Sequence, residues 1–506
     1  MQKSLQKRIK FGSNVFVIKI RSCCRNNQLF KVFEKYVHSV AVRSQARESR
    51  FVVRSRKMDP FILFRALVDV LSSDKEFTLT SIYDRYMDLC IEQGLEYMKW
   101  EPFYDFLAKK EFLQFVNDLY TKVNWEALKG EFSEGAELVK ILSEKFDRLD
   151  GIELQEGSEV PTNCKDYSGK ITPQIKLHAT LDVKSGAMHG CSVTKGIKSE
   201  RECIRVTKLA YILLIEDASY QSLKLFAQIA RYKGLFLVKL TTNSTLTVLE
   251  AYKTAKYGEI EKQEIITNDK AHPKGDNLKS SKFCDGLTHD CKLTTSNIKT
   301  EDGKKFAFRV VKFYLDENIA NDKELTTGID EFLYRGKMVR KRFVLLATNI
   351  PSDVLDAKQI AQLYRARWSV EIAFRMHKGF CGLKKTLTKS KTLSNALVVM
   401  SQIVYSLKLM LAQGKEKIVG KTLSPKKTAH YWTRPLNILL SLLQSKRKCI
   451  NSIKLWSEKL SRMEKSRPSY INRIRGKGLS CIIECLRKEP KKLKSKSIDV
   501  STNYAS

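Results

Sequence analysis

The chain has 506 residues, with 91 Lys and Arg against 55 Asp and Glu, a formal net charge of +36, and 43% hydrophobic and 9% aromatic residues. That length suits about two to four domains, and the apolar share is enough to build a core, which excludes a disordered, collagen-like or disulfide-stapled chain. An excess of 36 positive charges is more than solubility needs. Its natural counter-surface is a polyanion, nucleic acid ahead of anionic lipid.

The elements follow in chain order. Residues 1–33 hold no acid and many Lys and Arg. They read as a basic arm or an upstream-extended start, with a mitochondrial-type presequence lacking a clear cleavage site as the alternative. Residues 58–123 have helical periodicity. Pro60 starts a run with Phe61, Phe64, Leu67, Val68 and Leu71 on one face, Thr80 caps a helix that ends at Gly94, and Pro102 opens another through Lys110. Two helices broken at a Gly, with Lys109 and Lys110 on the second, fit a DNA-reading pair. Near Asp150 the period changes. Ile152, Leu154 and Glu156 alternate up to Gly157; Ile175, Leu177, Ala179, Leu181 and Val183 alternate again, and Lys184-Ser185-Gly186 turns the chain into a third strand.

Residues 209–215 are almost continuously apolar, as a strand buried on both faces should be, and stop at Glu216 and Asp217. A helix over 220–233 and a strand over 235–240 complete an α/β unit with a mixed sheet. Residues 241–342 are polar with one clear long strand, 306–315. The buried-strand pattern resumes at 343–347, and Asp353 or Asp356 opens a long helix through Lys378. The segment 393–412 is apolar, but Asn395, Gln402 and Lys408 interrupt it, so it reads as a buried helix and no membrane span is expected. The last stretch is helical and basic, with Arg473, Arg475, Lys477, Arg487, Lys488, Lys491, Lys492, Lys494 and Lys496 suited to phosphate. The 12 cysteines outline no disulfide framework. Cys284, His289 and Cys291 have no tight CxxC beside them, so reduced thiols and no zinc site are expected.

Two places carry chemistry. Tyr364, Arg367, Glu371 and Lys378 lie at offsets that place a phenol, a guanidinium, a carboxylate and an ammonium within about one 60° stripe of a continuous helix, while Leu363, Val370 and Phe374 face the sheet. The bland alternative is a solvated face with i,i+4 ion pairs. Asp217 directly follows a buried strand. A carboxylate there either caps the next turn or holds Mg²⁺ in the crevice at the strand ends, as in two-metal phosphodiester chemistry.

Together these residues resemble a known family. Tyr364, Arg367, Glu371 and Lys378 match the fixed positions of the Y-x2-R-x3-E-x6-K (YREK) signature of the DDE transposases of bacterial insertion sequences, insertion-sequence family four. Leu214-Ile-Glu-Asp217-Ala-Ser-Tyr220 is similar to that family's second-aspartate motif, and Ile152-Glu-Leu-Gln-Glu156-Gly-Ser158 to its first. The similarity runs from about residue 30 to 420, including a segment, 50–68, like the family's N-terminal region.

The resemblance implies an α/β, RNase H-like core, a mixed sheet flanked by helices, interrupted by a β-rich insertion. The corresponding division is 1–45 as a basic extension, 46–145 as a helical DNA-binding domain, 146–240 and 343–415 as the two parts of the core, 241–342 as the insertion, and 416–506 as a basic helical C-terminal region. It implies Glu156, Asp217 and Glu371 as catalytic ligands of Mg²⁺ or Mn²⁺, and Tyr364, Arg367 and Lys378 as contacts to transposon-end phosphates. The partners implied are double-stranded DNA, at the element ends and the target, and a second copy in a DNA-bound homodimer. The setting is a bacterial cytoplasm, at the nucleoid.

The sequence departs from the family in three ways. Glu156 stands where the first aspartate belongs. Its extra methylene moves the carboxylate by roughly an ångström, a displacement that can cost about 10²-fold. Asp182 and Asp150 are nearby substitutes that do not match the motif. An active enzyme and a remnant that only binds element ends both stay open, whereas a general nuclease would not need the end-phosphate residues. Ser219 replaces a Gly and is expected to strain its turn by about 1 kcal/mol. The insertion has no Trp, leaving Phe283, Phe306, Phe308 or Tyr314 to stack a flipped base. His377 is expected to be a bystander, and Trp368 to pack.

Overall fold

The computed structural model describes residues 31–53, 58–73, 77–241, 247–254, 265–267, 288–299, 305–314, 328–334, 337–386, 388–419, 436 and 479–489. The helices are α1 (Ser39–Glu48), α2 (Pro60–Leu71), α3 (Leu79–Ile91), α4 (Trp100–Leu107), α5 (Lys110–Leu128), α6 (Ser133–Ser143), α7 (Leu223–Arg231), α8 (Ala357–Tyr364), α9 (Trp368–Phe380), α10 (Lys391–Val419) and α11 (Leu479–Leu486). The strands are β1 (Gly151–Pro161), β2 (Gln174–Asp182), β3 (Met188–Lys195), β4 (Ile212–Glu216), β5 (Leu235–Leu240), β6 (Thr247–Thr254), β7 (Ile265–Thr267), β8 (Thr288–Lys299), β9 (Lys305–Tyr314), β10 (Gly328–Tyr334) and β11 (Lys337–Thr348). This mixed α/β fold divides into two units, one of residues 1–139, 153–204 and 368–478, the other of residues 140–152, 205–367 and 479–506.

In the first unit, α2 begins where the Asp59 carboxylate accepts the backbone N–H of Phe61 at 2.8 Å and Ile62 at 3.3 Å. Every residue of α2 except Val70 is buried, so it is a core helix rather than the one-faced helix expected. Helix α3 starts two residues ahead of expectation. Thr78, not Thr80, is the cap, because Ser81 closes a reciprocal box with it: Ser81 N–H donates to Thr78 Oγ1 (3.0 Å) and Thr78 N–H to Ser81 Oγ (2.9 Å). Lys110 opens α5 instead of closing α4. Strands β1, β2 and β3 form the expected antiparallel meander, with Glu156 opposite Ala179 and the β2–β3 turn closed by Gly186 at φ +70°. β1 runs past Gly157, since buried Ser158 and Val160 continue its inward alternation.

Helix α10 is the one helix among the described residues long and apolar enough to cross a membrane, and it is buried in the protein. Its polar side chains explain why. Tyr405 donates to Gly186 O (2.8 Å), Ser406 to Asn124 Oδ1 (3.1 Å) and Gln413 to Ser185 O (2.7 Å), so its polar groups find partners inside the protein.

In the second unit the sheet order is β4-β5-β11-β9-β8-β6-β7, with β10 paired to the first half of β11. β4 and β5 are parallel; β11 lies antiparallel between β5 and β9. β4 starts at Ile212 rather than Leu209 because Tyr211 is held at φ +59°. Residues 241–342 hold β6 to β10 and the start of β11, beyond the one long strand that stands out in the sequence. β8, for instance, reads Thr-His-Asp-Cys-Lys-Leu-Thr-Thr, whose polar residues hide its pleat. Phe226 stacks on Phe236 at 4.6 Å, and Phe308 meets both rings edge-on. Buried Arg309 reaches from β9 to the carbonyls of Ile350 (3.2 Å) and Leu355 (2.6 Å), fixing the loop that launches α8.

Candidate catalytic and DNA-contacting residues

Asp217 follows β4, and its Oδ1 accepts Ser219 N–H at 2.8 Å and Ser219 Oγ–H at 2.6 Å. Ser219 does not have the positive φ that would strain it, so the expected strain is absent. It orients the carboxylate instead. The adjacent Glu216 is buried, so of these two acids only Asp217 reaches the surface. Gln221 Oε1 accepts both Thr241 N–H (2.7 Å) and Thr241 Oγ–H (3.0 Å), tying the turn after Asp217 to the end of β5. Lys239 of β5 therefore belongs to the same cluster. Burial pushes its ammonium below the ordinary lysine range, Arg367 pushes it further down, and Asp217 pulls it up. The sequence reading missed Lys239. It stands as the one polar residue of an otherwise apolar strand, and the parallel β4–β5 pairing brings it beside Asp217.

The expected continuous helix is broken. Asp356 caps α8 through a reciprocal bond with Gln359, α8 ends at Tyr364, residues Arg365–Arg367 form a 3-10 turn, and α9 restarts at Trp368. The four-residue stripe is thus not one helix face: Tyr364 and Arg367 precede α9, and only Glu371 and Lys378 share it. No Gly or Pro marks the break. It accompanies the burial of Ala366 in the middle of the turn. The apolar positions Leu363, Val370 and Phe374 are buried as expected, and Trp368 is half-buried.

In the first unit, Lys378 lies near β1. Burial lowers its pKa, while the charges of Glu159 and then Glu156 raise it. Gly157 lies close under an ion pair. A Cβ there would sit 2.6 Å from Glu200 Oε1 and from Lys176 Cε, members of a half-buried ion pair of 2.7 Å. Glu371 pairs with Arg375 at 3.5 Å. The two substitute acids are engaged elsewhere: Asp182 accepts Ser185 N–H (2.9 Å) and Oγ–H (2.5 Å), and Asp150 pairs with Arg148 at 3.0 Å.

Phe306 and Phe308 are buried and stacked on each other at 5.8 Å, so they are core residues and not platforms for a base. Phe283 and Cys284 lie outside the described residues, as do the side chains of Tyr314, His289 and Cys291.

His377 is fully buried. Ser401 gives its proton to Val398 O (2.6 Å), so its oxygen accepts from His377 Nε2 at 2.9 Å. Burial drives the imidazole pKa down to about 3, which leaves it neutral and unfit as a solvent-facing base. A histidine in the unfolded chain takes up a proton below about pH 6.5, so this group's contribution to stability is lost as pH falls from there toward 3. His377→Gln should therefore lose less stability than the native protein between about pH 6.5 and 4. Denaturant midpoints across that range check this, and equal losses would contradict it.

The α3–α4 pair exposes Asp84, Asp88, Glu92, Glu96, Glu101 and Asp105, which repel phosphate. Against them stand Arg85, which pairs with Asp69 and Glu92, exposed Lys99, and Lys109 and Lys110, exposed where α4 meets α5. Tyr104 Oη bonds Thr388 Oγ1 at 3.2 Å, so α4 touches the α9–α10 loop with its Lys384, Lys385 and Lys389.

Carboxylate oxygens such as those of Glu156, Asp217 and Glu371 are the donors that Mg²⁺ and Mn²⁺ accept. Among the described residues no three His, Cys, Asp or Glu side chains are gathered closely enough to hold a metal ion.

Residues 152–407 match the family described as the Transposase DDE domain, from the second residue of β1 into α10. The transposase for insertion sequence element IS1151 of Clostridium perfringens is 22% identical over 337 residues, 61% of this chain and 67% of that protein. The putative transposase InsL for element IS186A of Escherichia coli K12 and the transposase for element IS421 of Escherichia coli are each 38% identical over 55 residues, 11% of this chain and 15% of the relative. More than half of the chain is thus accounted for by one domain, and the protein belongs to the DDE transposase domain family.

Proposed function

We propose that this protein is the transposase of a bacterial insertion sequence of family four, bearing its YREK signature on an RNase H-like core, and that it cuts the element from DNA and pastes it elsewhere. The observation that carries this reading is the cluster of Asp217, Lys239 and Arg367 where parallel strands β4 and β5 end. A carboxylate beside two cations at the carboxyl end of such strands suits a bound phosphodiester.

In this reading Glu156, Asp217 and Glu371 would hold Mg²⁺ or Mn²⁺, which supplies Lewis-acid stabilisation of the reacting phosphate. Arg367, Tyr364, Lys378 and Lys239 position the end phosphates. Water opens the phosphodiester at the element end, and the freed 3′-hydroxyl displaces a 3′-oxygen of the opposite strand, closing a hairpin. After the hairpin opens, the 3′-hydroxyl attacks target DNA. The helical body of residues 46–145 grips DNA through Lys109 and Lys110, alongside the lysines of the α9–α10 loop. Two copies act together on the two ends, in a bacterial cytoplasm at the nucleoid.

Glu156 in place of aspartate favours one second reading, a remnant that binds element ends without cutting. Gel-shift titration with a duplex from the gene's flanks, against a scrambled duplex at matched salt, tests the DNA reading. The flank should bind more tightly, and Lys239→Met should lower the slope of log affinity against log salt by about 1. Equal affinity for both duplexes would sink end recognition, and an unchanged slope would remove Lys239 from the phosphate site.

A further inference from the structure

Helix α10 carries a lysine, Lys408, that is 1% exposed. Its Nζ donates to Ser72 O at 2.7 Å and to Phe380 O at 2.6 Å. Ser72 caps the C-terminus of α2, and Phe380 is the last residue of α9. One buried ammonium thus serves the carbonyl ends of two helices, where the helix dipoles are negative and carbonyls lack intrahelical partners. The same two ends touch directly. Gly382 sits at φ +77°, and a Cβ there would lie 2.4 Å from Leu71 Cδ2.

Lys378 lies only two residues before Phe380, and Glu371 lies on the same helix. We propose that Lys408 is a positioning residue that couples the N-terminal helical body, through the end of α2, to the helix carrying Glu371 and Lys378. DNA gripped by the helical body then reports to α9 through this ammonium. Without it, the carbonyls of Ser72 and Phe380 lose this charged donor and the last turn of α9 is loosened. The coupling to DNA rests on the proposed grip by residues 46–145; the tie itself does not.

Backbone hydrogen exchange on the full chain tests both parts. Segments 372–383 and 66–76 are followed with and without a duplex from the gene's flanks, in the native protein, Lys408→Met, Lys408→Arg and Gln413→Leu. Gln413 is the control because it is a buried donor on the same helix that serves a different carbonyl, Ser185 O. Without DNA, Lys408→Met should speed exchange of 372–383 by at least about tenfold, and Lys408→Arg should restore most of the protection. With DNA, the native protein should slow exchange in both segments and Lys408→Met only in 66–76. Should Lys408→Met not fold, Lys408→Gln replaces it. Native-like exchange in the neutral variant overturns the tie, and so does an equal effect from Gln413→Leu. Continued slowing of 372–383 by DNA in Lys408→Met overturns the coupling. A duplex that protects neither segment of the native protein overturns the coupling and the grip, while the DNA-free comparison still decides the tie.

Discussion

Gly382→Ala is expected to lower the free energy of unfolding by about 3 kcal/mol, combining about 1–2 for a left-handed backbone and about 1–3 for overpacking. The residue sits at φ +77°, and its Cβ would lie 2.4 Å from Leu71 Cδ2 and 3.0 Å from Leu71 Cβ. Leu71 ends a fully packed helix, so it has nowhere to retreat. The same turn depends on this conformation, since Cys381 N–H and Leu383 N–H both bond back to His377 O. Gly379 is the internal control. It lies inside α9, and a methyl group added there would meet nothing within 4 Å, so Gly379→Ala should stabilise by up to about 1 kcal/mol. Denaturant unfolding of the two variants should thus move in opposite directions. Equal midpoints would mean that the ends of α2 and α9 do not meet as described.

Glu156→Asp is expected to raise the rate of element-end cleavage by about 10²-fold. The carboxylate projects from a strand in which the preceding residue is tethered, since Gln155 Nε2 donates to Glu200 O at 3.3 Å. The extra methylene of glutamate moves its carboxylate by roughly an ångström from where an aspartate would hold it. Initial cleavage rates of the two proteins on one labelled duplex measure the gain. A slower Asp variant would show that the site has adapted to glutamate.

Much of this was legible from local pattern. The β1–β3 meander was marked by alternation and by Lys184-Ser185-Gly186, β4 by its apolar run, and α10 by the very residues (Asn395, Gln402, Lys408) that argued against a membrane span. What stayed hidden depended on tertiary contacts. The helix break at Arg365–Arg367 has no Gly or Pro to signal it, so a 100° repeat carried Tyr364 and Arg367 onto a face they do not share with Glu371. Lys239 reads as an ordinary outward residue of a strand until β4 pairs with β5. The acidic character of the α3–α4 pair was written in the sequence, yet two lysines after it drew the DNA reading there. Ser219 stands in place of a glycine, and its hydroxyl holds Asp217, a contact that no local pattern announces.

Whether the carboxylates of this DDE domain cut DNA at the element's end is decided by one assay. A labelled duplex from the gene's flank is incubated with the native protein and with Glu371→Ala, with Mg²⁺ or Mn²⁺ supplied and with EDTA. The native protein should leave a single nick at the element boundary, weak because of Glu156. That nick should vanish in Glu371→Ala or EDTA while end binding persists. Cleavage that survives Glu371→Ala, or that falls at no fixed position, would mean that these carboxylates do not cut the element's end.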